Sequence, residues 1–135
     1  MKKFFIKSLT AGAVLFLLSY ATLYLVVLLL PNVAEQYYDP MFSFEGIKGV
    51  LYLMHPFVLS FALAWFWQRF KGLFHGSFWQ RGIEMGLTYG LIATLPSMWI
   101  LFSAMSVSFV LVCSWLLYGV MQAIVVGILF ARLSP

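Results

Sequence analysis

The sequence predicts an all-α integral membrane protein, an antiparallel four-transmembrane-helix bundle with both termini cytoplasmic. Three observations point there. Of the 135 residues, 64% are hydrophobic and only 9% are charged, where soluble domains carry about 25% charged residues. A chain this short leaves much of its surface exposed and cannot hide that apolar content from water. Four apolar runs are long enough to cross a hydrocarbon core of about 30 Å, which takes about 20 residues. Finally, the basic residues are distributed with a strong bias to one side of those runs.

The spans are expected at 8–30, 47–70, 83–102 and 107–131, joined by an outer loop at 31–46, an inner loop at 71–82 and a tight turn at 103–106. Together they form a single transmembrane domain. Met1-Lys2-Lys3 is a basic start of the kind that opens a signal peptide. The apolar run behind it is longer than the roughly 7–15 residues of a signal core, so it reads as a retained helix. Lys2, Lys3, Lys7, Arg69, Lys71, Arg81 and Arg132 fall on one side of this threading. Lys48 falls on the other, with Glu35, Asp39 and Glu45. Seven against one places both termini in the cytoplasm. Four helices also satisfy the requirement that every backbone group within lipid be bonded internally.

Helices in lipid gain little from burying leucine against leucine and associate through small residues that admit close backbones. Gly82, Gly86 and Gly90, extended by Thr94, form one ladder at spacing four; Gly119, Ala123, Gly127 and Ala131 form another. A spacing of four drifts about 40° per step on a helix, so each ladder is a slowly winding seam. The tight turn makes the third and fourth spans antiparallel neighbours, and both ladders lie in the cytoplasmic half. They are expected either to pack the two spans together or to form a homo-oligomer seam. Ser8 with Gly12, and Ser60 with Ala64, are shorter versions in the first two spans.

His55-Pro56 interrupts the second span. At 1.5 Å per residue the imidazole lies about 10 Å below the outer interface. It shares a helical face with Tyr52 and Lys48, a polar stripe running inward. Pro56 removes the helical bond to the carbonyl of Tyr52 and crowds that carbonyl. Three readings of His55 stand side by side: a neutral hydrogen-bonded residue at a proline kink, the lining of an outward-open pocket for a ligand or proton, and a ligand to a metal or haem. Ligation normally needs convergent partners, and no other span contains a histidine.

Glu84, at the start of the third span, suits the helix dipole; Arg81 is placed to pair with it, and a proton or substrate site is the sharper option. Gln122 lies mid-span, about 60° from its ladder, where amides commonly bridge helices. Ser108 and Ser114 can bond back to their own helix carbonyls. Pro96 predicts a second kink, so the expected shape is clamped at the cytoplasmic side and splayed at the outer one.

Pro31 is expected to open a short interfacial helix, with Tyr37, Tyr38, Met41, Phe42 and Phe44 against the headgroups. Glu35, Asp39 and Glu45 form a solvated acidic face or a weak cation site. The inner loop, RFKGLFHGSFWQRG, is basic and aromatic and is expected to sit among anionic lipids. Cys113 is alone, so it makes no internal disulfide.

No HExxH, CxxC or phosphate-cradling loop is present, and the first span holds no carboxylate. Neither a cofactor nor a metal nor a nucleic-acid partner is expected. The expected function is that of a small polytopic protein of a bacterial-type inner membrane, acting non-enzymatically through helix contacts as an accessory, assembly or scaffold unit. Its partners would be the bilayer, anionic lipids at the cytoplasmic face, and a second copy or another membrane protein. The alternative is a small oligomeric transporter or channel with an outer vestibule near His55 and Tyr52.

Overall fold

A computed structural model describes residues 2–42 and 45–134. Among them there is no strand; the elements are α1 (Lys2–Leu29), α2 (Pro31–Glu35), α3 (Ile47–Phe70), α4 (Phe78–Tyr89), α5 (Leu95–Ala104) and α6 (Phe109–Leu133). Four helical stretches are long and apolar enough to cross a membrane: Lys2–Leu29, Ile47–Leu73, Phe78–Ala104 and Phe109–Leu133. The chain divides into two compact units, Met1–Phe61 and Ala62–Pro135, with the division inside α3.

In the first unit, α1 starts six residues before the expected span, because helix formation continues through Lys2–Lys7 past the point where hydropathy falls. It stops at Leu30, whose backbone (φ −131°, ψ 60°) leaves the helical region as a residue before proline tends to do. Pro31 then opens α2, a 3₁₀ turn follows at Gln36–Tyr38, and the Tyr37 and Phe42 rings meet at 5.5 Å. Phe44 lies outside the described residues. α1 packs on the N-terminal part of α3 through Ser8, Ala11, Gly12 and Leu15, the only buried residues of that helix. A Cβ on Gly12 would lie 2.5 Å from Phe57 Cδ1 and 3.0 Å from Ser60 Oγ. Phe4 and Phe5 meet the Phe61 ring edge-on, at 6.1 and 5.7 Å.

In the second unit, α4 begins at Phe78, five residues ahead of the expected span. The reason is a capping box: the Gln80 N–H donates to Ser77 Oγ (3.4 Å), and the Ser77 N–H donates to Gln80 Oε1 (2.8 Å). The Ser77-x-x-Gln80 spacing is a helix-start signature that span boundaries drawn from hydropathy do not use. Ser77→Ala is expected to destabilise this helix end by about 1 kcal/mol, read as a lower thermal midpoint by circular dichroism in detergent; an unchanged midpoint would deny the box any weight.

Pro96 was expected to kink the third span. The structure accommodates it with a π turn over Gly90–Thr94, in which the Leu95 N–H bonds the Gly90 carbonyl. The extra residue relieves the missing proline donor and the ring's clash with the preceding turn. The connection to α6 falls at 105–108, two residues later than expected. Ser108 caps α6 by accepting from the Leu111 N–H (3.1 Å).

Candidate functional site

Three groups of residues are candidate sites: the small-residue seam, the polar stripe of α3, and an aromatic–cation cluster where the ends of α3, α4 and α6 meet.

At the seam, α4 and α6 run antiparallel, and the partners of Gly82, Gly86, Gly90 and Thr94 step backwards along α6: Ile128, Ile124, Val120 and Gly119. A Cβ on Gly82 would lie 2.5 Å from the Ile128 backbone N, and one on Gly86 2.8 Å from the Ile124 N. One on Gly127 would lie 2.8 Å from the Gly82 carbonyl oxygen. Gly90 meets only the Val120 side chain within 3 Å, and Gly119 only that of Thr94. Backbone therefore touches backbone at the Gly82–Gly86 level and gives way to side-chain contact toward Thr94. α5 beyond has no buried residue. Ala123 and Ala131 are buried in the same face of α6. The two ladders thus occupy each other within one chain.

The polar stripe is open. Lys48, Tyr52 and His55 are all exposed, while Pro56 is buried. α3 continues unbroken as α-helix through Pro56. His55 makes no hydrogen bond to a described residue, so it does not supply the donor expected for the Tyr52 carbonyl. No group of three His, Cys, Asp or Glu side chains converges among the described residues. In the outer loop, Asp39 Oδ1 accepts instead from the Met41 N–H (2.8 Å), a local turn contact.

Glu84 is exposed, and Thr88 Oγ1 donates to its carbonyl oxygen (2.8 Å). No ion pair joins it to Arg81. Gln122, only 2% exposed, was expected to bridge helices; its Nε2 donates instead to the Tyr118 hydroxyl, one turn back on the same helix (2.9 Å). This contact engages the amide nitrogen within its own helix rather than across to another span.

The third group was not assembled by sequence reasoning. Trp67 is 1% exposed; its Nε1–H donates to the Ser134 carbonyl (3.2 Å), and its ring stacks on Phe74 at 5.8 Å. The Arg81 guanidinium lies over the Trp67 ring, 5.0 Å from its centroid. This replaces the expected pairing with Glu84: a flat, weakly hydrated guanidinium stacks on an indole face more readily than an ammonium would. Arg132 lies over Phe78 at 5.7 Å and Arg69 over Trp65 at 5.6 Å. The alternation of Trp, Phe and Arg in WFWQRF and FWQRG was the available signal, but which ring each cation chooses depends on the tertiary fold.

No protein family, curated protein or solved structure matches this chain.

Proposed function

We propose that this chain is a small polytopic protein of a bacterial-type inner membrane, with both termini cytoplasmic, that acts non-enzymatically through helix contacts as an accessory or assembly unit. The orientation rests on the seven-to-one distribution of basic residues. The role rests above all on how the polar groups of the spans are used. The hydroxyls of Ser8, Ser19, Ser60, Thr88, Ser97 and Ser114 each donate to a carbonyl of their own helix, at 2.6–2.9 Å. Gln122 likewise turns back on its own helix. Side chains so engaged build helices rather than a reaction centre, where a nucleophile, base and orienting group must converge.

The interaction face follows from what the seam leaves over. Since the glycine ladders fill one another, a partner would meet other faces, and α1 has no buried residue after Leu15. A photoreactive amino acid replacing Leu17, an exposed residue of α1, is expected to give a discrete protein adduct in native membranes. Adducts with lipid alone would count against the reading.

The second reading, a small oligomeric transporter or channel, is favoured by one observation: Lys48, Tyr52 and His55 all reach the surface of the chain, as a vestibule lining must. It predicts flux in liposomes that changes between about pH 5 and 8, where histidine titrates, and that is abolished by His55→Ala. Under the accessory reading His55→Ala changes nothing.

A further inference from the structure

We propose that the Arg81 guanidinium, laid on the Trp67 ring where the ends of α3, α4 and α6 meet, holds the phosphate of one anionic phospholipid. The proposal rests on the chain lying in a membrane.

The arginine itself is the first ground. A guanidinium stays charged and presents five donors in a planar fork matched to phosphate. Here the fork is held by stacking on Trp67. Its Nε is buried and meets no acceptor among the described residues. Glu84, three residues on, is exposed and unpaired with it. The rest of the guanidinium also makes no hydrogen bond to a described residue, so its donors are available to an anion.

Charge balance is the second. Residues 62–135 contain Arg69, Lys71, Arg81 and Arg132, and Glu84 as their only carboxylate side chain. Arg69 and Arg132, like Arg81, lie on aromatic rings. Cation–π contact orients these groups but leaves their charge uncompensated. An anion therefore complements the cluster.

Depth is the third. Trp67 lies just before the end of α3 at Phe70, Arg81 just after the start of α4 at Phe78, and Arg132 just before the end of α6 at Leu133. The ends of spanning helices lie at headgroup level, and exposed Trp65 and Trp79 suit the same boundary. Lipid phosphates lie at that level, and the apolar flanks of the cluster suit acyl chains. A zwitterionic choline headgroup would bring a quaternary ammonium, a like charge, to the same cations.

The test is native mass spectrometry of the full chain in detergent, titrated with phosphatidylglycerol or phosphatidylcholine of matched acyl chains. One phosphatidylglycerol is expected to be retained, in clear preference to phosphatidylcholine. Arg81→Gln should weaken retention about tenfold, the equivalent of one charge-assisted contact, and Arg81→Lys should fall between. Lys71→Gln removes the same charge without the fork and should change retention much less. Equal losses in Arg81→Gln and Lys71→Gln would overturn the site in favour of diffuse attraction. Equal retention of the two lipids, or displacement by free inorganic phosphate, would overturn the lipid as its ligand. If Arg81→Gln does not fold, the Arg81→Lys and Lys71→Gln pair decides alone. Flotation with vesicles of each lipid separates the two levels. A chain that floats but shows no lipid preference loses only this site. A chain that does not float with vesicles of either lipid loses the membrane reading and the site together.

Discussion

Gly86→Leu is expected to break the contact between α4 and α6 and to give a large loss of stability. Even the Cβ of alanine there would lie 2.8 Å from the Ile124 backbone N and 2.9 Å from its Cα. Those atoms belong to a helix backbone and cannot swing aside as a side chain would. Overpacking a tight site typically costs about 1–3 kcal/mol, and Gly86→Ala should fall in that range. Leucine adds three more carbons and can enter only if the helices part, which forfeits the dispersion contacts along the whole seam. Gly72→Ala is the control, because a Cβ there meets nothing within 4 Å. Denaturation in mixed micelles, followed by circular dichroism, should rank Gly72→Ala with the unaltered protein, Gly86→Ala below it and Gly86→Leu last. A Gly86→Leu protein as stable as the parent would show that the helices do not meet backbone to backbone.

The second large effect is expected at Trp67. Truncating it to alanine removes a buried indole, its stack on Phe74, its donation to the Ser134 carbonyl and the ring beneath Arg81. Losing a buried aromatic costs about 3–5 kcal/mol in soluble proteins. The lower end is expected here, because lipid or detergent in place of water reduces the transfer part of that cost. Trp67→Phe keeps the apolar bulk and loses the N–H donation, for about 1 kcal/mol. The same micelle titration reads both. A Trp67→Phe protein as damaged as Trp67→Ala would put the weight on the Ser134 hydrogen bond rather than on packing.

The helices were legible because hydropathy and chain length act locally: four apolar runs bounded by Pro31, the inner-loop glycines and a short turn leave few other threadings. Helix ends were less legible. α1 and α4 begin earlier than the apolar runs do, since backbone bonding and the Ser77–Gln80 box fix helix starts independently of hydropathy. The residues of the seam were readable from spacing alone, but whether the ladders met within one chain or between chains was not, because spacing is the same in either case. Polar side chains were the hardest to place. Gln122 had Tyr118 within one turn, Arg81 had both Glu84 and the distant Trp67 within reach, and His55 had no hydrogen-bond partner among the described residues. Choosing among such options depends on rotamers and on contacts far apart in sequence, which a linear pattern does not carry.

The way Ser and Thr hydroxyls turn back onto their own helices bears on the order of biogenesis. A span whose polar side chains are already satisfied incurs no penalty by waiting alone in lipid. On the proposed membrane reading, α1, whose Ser8, Thr10 and Ser19 hydroxyls are bonded within the helix, can therefore enter the bilayer as it is synthesised, before any later helix exists. The same holds for the hydroxyls of Thr88 and Ser97 in the third span. Its glycines, by contrast, find Ile128, Ile124 and Val120 only after nearly all of α6 has been made. Closing the seam is then the last step of assembly rather than a condition for insertion.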